Sequence, residues 1–480
     1  METLYLPRPR FTPPLDPDFR PAVLAVRAFD AEVAAVGGGV PLALGLERSD
    51  GELSRFETRV FPAGHPRFAA NFQHVERIVK FLLWQRGGWR VYVGGPRAIG
   101  EYLQAHYAAD GPRAFDYHFM GREVYERVFE VASCAVEEVP AAHEGGQSLG
   151  RHLDGCRIGF DLGASDRKVS AVVDGEAVFS EEIIWEPRKH ADPAYHNAEI
   201  MAGLRSAAAR LPRVDAIGGS SAGIIIHNRP MVASLFRAVP QERYGEIRSL
   251  FRRIRDEWGV PLEVINDGDV TALAGAMSLE EDGVLGIALG SSQAAGYVTP
   301  TGMVTGWLNE LAFAPVDYSP TAPADEWSGD LGVGGLYFSQ QAVFRLAPRV
   351  GIAIPQDMTD ADKLKGVQAR LEAGHAGAAQ IWQSIGVYLG YGIAHYAAFY
   401  ELKHLLILGR VTSGRGGQII LDAAQEVIGG EFPELAGIRL HLPDEKSRRV
   451  GQSIAAASLP ATDFAHNCSG VIKKQPPPDS

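Results

Sequence analysis

Two acids, Asp267 and Asp269, stand in the run VINDGDVTALAGA at 264–276, where most neighbours are apolar or small. Asp267 follows Asn266, and that pairing suits chemistry at a hydroxyl. A carboxylate can accept the proton while the adjacent amide, which both donates and accepts, fixes the oxygen. The same cluster also reads as a strand end followed by a helix start, with Asp269 as the capping residue of the helix.

Three further loops have compositions suited to a phosphate or a nucleotide. In FDLGAS, 160–165, Asp161 ends an apolar run and Gly163 opens a tight turn whose backbone N–H groups can approach an anion. In IALGSSQAAGYV, 287–298, Gly290, Ser291 and Ser292 separate two apolar runs, leaving backbone donors and two hydroxyls. In ILGRVTSGRGGQIILDAAQEV, Gly409, Gly414, Gly416 and Gly417 allow close approach of a flat ring or a ribose, and a helix expected from about Gln418 would turn its N-terminal N–H groups to the loop. Each loop alone is also an ordinary turn.

The elements that must carry these loops alternate. CRIGFDLGASDRKVSAVVDGEAVF reads as paired strands joined at Asp174-Gly175. RVDAIGGSSAGIII, PLEVIN, GVLGIAL and HLLIL read as further strands, and small-residue or amphipathic helices lie between them. Such alternation predicts an α/β architecture with its site at strand ends.

Upstream, PLALGLERSDGELSRFETRVF predicts a hairpin, FAANFQHVERIVKFLLWQR a helix, WRVYVGG a strand, and PRAIGEYLQAHYA a helix opened by Pro96. The hairpin parallels the strand, turn and return strand that begin at Cys156, which suggests a degenerate copy of the same unit. The expected organisation is an extended tail at 1–20, an N-terminal α/β region at 21–150, a core at 151–470 and a tail at 471–480.

The 480 residues carry a formal net charge of -12, which argues against nucleic acid or anionic membranes as partners. Cys134, Cys156 and Cys468 are far apart and form no C-x-x-C pair, so neither a disulfide framework nor a cysteine zinc site is expected. No apolar run reaches membrane-spanning length and the Pro-rich N-terminus is unlike a signal peptide. A cytoplasmic protein is expected.

The order of the pieces, an Asp-Gly hairpin, an Asn-Asp strand end, a Gly-Ser hairpin and a Gly-rich loop feeding a helix, resembles the actin-like ATPase and sugar kinase superfamily. Within it, residues 156–460 are similar to the ROK family, and VINDGDVTAL is also similar to the Asn-Asp stretch of hexokinases. The resemblance implies an actin-like ATPase (ribonuclease H-like) two-lobed fold, with the N-terminal α/β region as an addition. It implies ATP-dependent phosphorylation of a sugar or polyol, with ATP and Mg2+ as cofactors and a homodimer as the candidate assembly.

Carried over by position, Asp267 would be the general base and Asn266, Asn309, Glu310, Ser221 and Asn228 would contact the acceptor. Asp161, Gly163, Ser165, Gly290, Ser291 and Ser292 would line the phosphates, Asp161 holding Mg2+ through water, and Gly409, Ser413 and Gly414 would sit at the adenosine. The threonine of the family's first loop is either replaced by Ser165 or lost. Phe313 stands where the family has histidine, and PADEWSGDLGVGGLYFSQQAV stands in place of its cysteine cluster, so no zinc is expected. Two other functions fit the same fold: a catalytically silent sugar- or nucleotide-binding sensor, and an ATPase that drives a partner protein.

Overall fold

The computed structural model describes residues 4–144, 149–442 and 445–462. Cys468 and the 471–480 tail lie outside the described residues. The chain divides into two compact units, one of residues 1–148 with 266–449, the other of 149–265 with 450–480.

The N-terminal sheet contains β1 (Val40–Glu47), β2 (Leu53–Val60), β3 (Arg90–Gly94) and β4 (Glu130–Cys134), in the order β2-β1-β3-β4. The expected hairpin is present, with β1 and β2 antiparallel around Ser49–Gly51. The expected helix spans Ala70–Arg86 and the next Arg97–His106, whose N-cap is Pro96. β3 pairs antiparallel with β1 and parallel with β4.

This pairing corrects the idea of a degenerate copy. In the second unit the strand after the helix runs parallel to the first strand; here it runs antiparallel. One strand fewer precedes the helix, and each element reverses the chain, so the returning strand arrives in the opposite direction.

The second unit holds β5 (Cys156–Leu162), β6 (Asp166–Val173), β7 (Glu176–Ile184), β8 (Ala216–Ser221), the short hairpin β9 (Ile224–Ile226) and β10 (Arg229–Val232), and β11 (Leu262–Asn266). Its main sheet has the order β11-β8-β5-β6-β7. β5, β6 and β7 form an antiparallel meander, and Asp174 and Gly175, at φ 47° and 86°, make the turn that Asp-Gly sequences favour. Helix Pro193–Ala208 supplies Ile200 and Leu204, and helix Leu250–Trp258 supplies Phe251 and Ile254, to a core with Ile158, Phe160 and Ile217.

The first unit continues with helix Asp267–Leu279 and a sheet of β12 (Val284–Leu289), β13 (Gln293–Val298), β14 (His404–Leu408) and β15 (Arg439–His441), in the order β13-β12-β14-β15. β12 is antiparallel to β13 and parallel to β14, which is parallel to β15. Helices Ala376–Tyr396 and Arg415–Glu431 pack together beside it. The N-terminal segment docks along the first of these. Phe19 is buried against Tyr337, Tyr388 and Tyr391, and Asp16 accepts from the Tyr388 hydroxyl at 2.6 Å and pairs with Arg345 at 2.9 Å.

Candidate functional site

β11 ends at Asn266, and the helix beginning at Asp267 has its N-terminal N–H groups at that strand end. Asn266 is the N-cap, its Oδ1 accepting the Gly268 N–H at 2.7 Å, and Oδ1 of Asp267 accepts the same N–H at 3.0 Å. The helix dipole favours the negative charge of Asp267 there. Two glycines set where this turn lies. A Cβ on Gly268 would come within 2.2 Å of the Ala295 oxygen, and one on Gly296 within 2.1 Å of the Gly268 oxygen. The helix therefore touches β13 backbone to backbone, and Asp267 borders a pocket of about 50 Å3 shared with Thr271, Gly286, Ala288 and Ala294.

Asp269 is not the cap. It points inward, 5% exposed, and accepts hydrogen bonds from the Tyr297 N–H at 3.2 Å and the Asn309 Nδ2 at 2.9 Å. Burial, against these two hydrogen bonds and reinforced by the charges of Asp267 and Glu310, pushes its carboxyl up to about 8. The reason is geometric: the third helical residue faces the strand on which the first turn rests.

Asn309 is 1% exposed and held at φ 51°. Its N–H donates to the Gln85 carbonyl at 2.8 Å, its Nδ2 to Asp269, and its Oδ1 accepts the Tyr400 hydroxyl at 2.9 Å. It supports the site rather than facing a ligand, which corrects its expected role as an acceptor contact. Glu310 follows, its N–H donating to the Trp84 carbonyl at 2.9 Å. Both carbonyls come from the last turn of helix Ala70–Arg86, where carbonyls lack intrahelical donors. Glu310 keeps some solvent contact, and desolvation, then the charge of Asp267, lift its carboxyl to about 7. Asp267, Asp269 and Glu310 thus share one electrostatic neighbourhood.

Gly290, Ser291 and Ser292 form the three-residue turn between the paired Leu289 and Gln293, and both serines are exposed. Gly409 adjoins this turn. At φ 95° its added Cβ would lie 2.3 Å from the Leu289 oxygen, so only glycine lets β14 leave the sheet beside the β12 end. Ser413 is exposed, and Gly414, φ 65°, caps the following helix. That helix begins at Arg415 rather than near Gln418. The Arg415 N–H donates to Glu372 at 2.9 Å, so part of the helix terminus expected to face a ligand is satisfied within the protein.

In the second unit, Asp161 lies at the end of β5 and accepts the Ser220 hydroxyl at 2.7 Å. Burial raises its pKa, with the Ser220 hydrogen bond and then Lys168 opposing. The Gly163 N–H donates to the Asp166 carbonyl at 2.9 Å, closing the turn, and Ser165, exposed, donates its hydroxyl to Asp166. Lys168 pairs with Asp166 at 3.3 Å. Ser221 is fully buried, its hydroxyl without a hydrogen-bond partner among the described residues. Asn228 is largely buried. Its Nδ2 donates to Leu262 and Glu263 and its Oδ1 accepts from the Val264 N–H, so it ties β11 to the β9–β10 hairpin instead of offering an amide to a hydroxyl.

Ser220, Tyr297, Tyr400 and Gln85 escape a reading of the sequence. Ser220 had a signal, as one of two serines at a strand end; the others hold their roles only through chain segments far apart.

No family model matches this chain, and no curated protein matches it. Solved structures do. A ROK family transcriptional regulator, a homolog of the E. coli MLC protein, matches at a TM-score of 0.50 and 18% identity over 64% of this chain and 79% of that chain. A ROK family glucokinase from Streptomyces griseus, in complex with glucose and AMPPNP, matches at 0.48 and 19% over 63% and 99%. A ROK hexokinase from Thermus thermophilus matches at 0.47 and 17% over 63% and 97%. Over the 64% of the chain that matches the regulator, the likeness shows the fold alone, the actin-like ATPase fold. Among the described residues no helix is long and apolar enough to cross a membrane.

Proposed function

We propose that this protein is an ATP- and Mg2+-dependent kinase acting on a sugar or polyol hydroxyl, with Asp267 as the general base. The observation that carries the reading is the placement of Asp267 at a helix N-terminus against the β12–β13 hairpin, within electrostatic range of Glu310. Such a carboxylate can accept a hydroxyl proton while a second carboxyl group orients the acceptor.

The residues fit the nucleotide and its metal. The Gly290–Ser292 turn presents two exposed hydroxyls, Gly409 keeps the adjoining strand exit free of a side chain, and Ser413 and Gly414, which follow it, would sit at the adenosine. Asp161, whose charged form burial disfavours, would gain from a cation held through water. When bound, ATP would supply the γ-phosphoryl group, ADP leaving as the bond between the β- and γ-phosphates breaks, and Mg2+ would neutralise the phosphate charge. Asp267 accepts the acceptor proton as the oxygen–phosphorus bond forms, and later releases it to solvent. Asn266 and Glu310 hold the acceptor hydroxyls, and Ser221 lies at the second unit's strand end with an unused hydroxyl.

A panel of sugars and polyols assayed for ADP release, with Asp267→Asn alongside, tests the proposal. Turnover by the parent protein with loss of at least about a hundredfold in a folded Asp267→Asn variant is expected. ATP and sugar binding without turnover on any acceptor would replace the kinase with a sensor.

A further inference from the structure

Trp327 keeps 57% of its surface in solvent, although a large aromatic surface is costly to leave in water. Its surroundings nonetheless fix it. In the turn that carries it, one Asp325 carboxylate oxygen accepts the Trp327 N–H at 3.2 Å, the Ser328 N–H at 2.7 Å and the Ser328 hydroxyl at 2.8 Å. The Asp325 N–H donates to the Asp330 carbonyl at 2.9 Å. Asp330 is itself buried among three cations, Arg113 at 2.7 Å, Arg77 at 3.4 Å and Lys80 at 3.5 Å. A buried ionic cluster thus anchors a loop whose tip is an exposed indole.

That indole meets three other rings edge to face, Phe115 at 5.1 Å, Phe119 at 5.3 Å and Phe313 at 5.3 Å. Phe115 and Phe313 also keep some solvent contact. Phe313 ends the single helical turn Leu311–Phe313, and its N–H donates to the Glu310 carbonyl at 3.2 Å. The aromatic surface therefore begins three residues from the proposed hydroxyl-binding carboxylate.

The geometry points to a second acceptor subsite on Trp327 and Phe313, taking the apolar face of a ring attached to the hydroxyl-bearing sugar: an aryl aglycone or a second sugar ring. The assignment rests on reading Glu310 as the acceptor contact. A rigid, exposed indole beside partly exposed rings is preorganised for stacking, so little ordering opposes binding.

Calorimetric titration of the full chain without nucleotide tests this, using glucose, mannose and N-acetylglucosamine, each as free sugar, phenyl β-glycoside and β-1,4-linked disaccharide. At least one glycoside is expected to bind about tenfold more tightly than its free sugar, the scale of one stacking contact. Trp327→Ala should remove that increment and leave the free sugar unaffected, Trp327→Phe should keep most of it, and circular dichroism should show both folded. Gain by phenyl glycosides alone assigns an aglycone site, and gain by disaccharides a second sugar site. Equal affinities for free sugar and glycoside, or an increment that survives Trp327→Ala, would overturn the subsite. So would a self-association that Trp327→Ala abolishes without any change in ligand affinity, which would make this face a contact between copies. Trp327-dependent glycoside binding by a protein that releases no ADP would retire the kinase and keep the subsite; no carbohydrate binding at all would retire both.

Discussion

The Asp269 carboxyl group accepts a hydrogen bond from the Asn309 amide at 2.9 Å, tying the first turn of the Asp267 helix to the residue before Glu310. Since Asn309 is also held by Gln85 and Tyr400, the two candidate acceptor-handling carboxyl groups are positioned through a single buried amide. Asp269→Ala would leave the Asn309 Nδ2 and the Tyr297 N–H unpaired, at about 1–3 kcal/mol each. Denaturant unfolding should show a loss larger than the roughly 1 kcal/mol of a missing helix cap. A loss no greater than that would mean the bridge carries little.

Asp269 should also make stability depend on pH. Its folded-state pKa, about 8, lies above the roughly 4 of an unfolded carboxyl, so between those values the folded chain holds a proton that the unfolded chain has released. This contribution is complete below pH of about 4 and is lost as pH rises through about 8, by at most about 1.4 kcal/mol per pH unit. Unfolding midpoints at pH 5 and pH 8 should therefore differ more in the parent protein than in Asp269→Asn. Parallel shifts in both would show that other groups set the dependence.

Glu310 owes part of its raised pKa, about 7, to the charge of Asp267. Asp267→Asn should lower it, and carboxyl carbon NMR of labelled glutamate would follow the change. Acceptor affinity should show the same midpoint moving to lower pH. An unmoved midpoint would separate the two groups electrostatically.

Asp330 pairs with two buried cations, Arg77 and Lys80, and with the half-buried Arg113, all from the N-terminal region. Asp330→Ala should cost about 3–5 kcal/mol, the usual penalty for stranding buried charge. Measured by thermal unfolding, an effect under about 1 kcal/mol would place the cluster in solvent reach.

The sequence by itself determined the elements and the strand-end loops. VPLALGLE and HLLIL are short apolar runs that read as buried strands, Asp174-Gly175 carries its own turn geometry, and the Asn-Asp-Gly-Asp cluster announces a helix start, although the cap is Asn266 and not the expected Asp269. Only the tertiary structure decided which polar groups face a ligand. Asp269, Asn309 and Asn228 look as available as Asp267, but each turns its side chain inward, to hydrogen-bond partners up to 91 residues away. Direction relative to the core depends on packing between distant segments, and no local pattern encodes it. The direction of β3, fixed by the number of preceding reversals, and the anchoring of Trp327 by a charge cluster from the N-terminal region were decided in the same way.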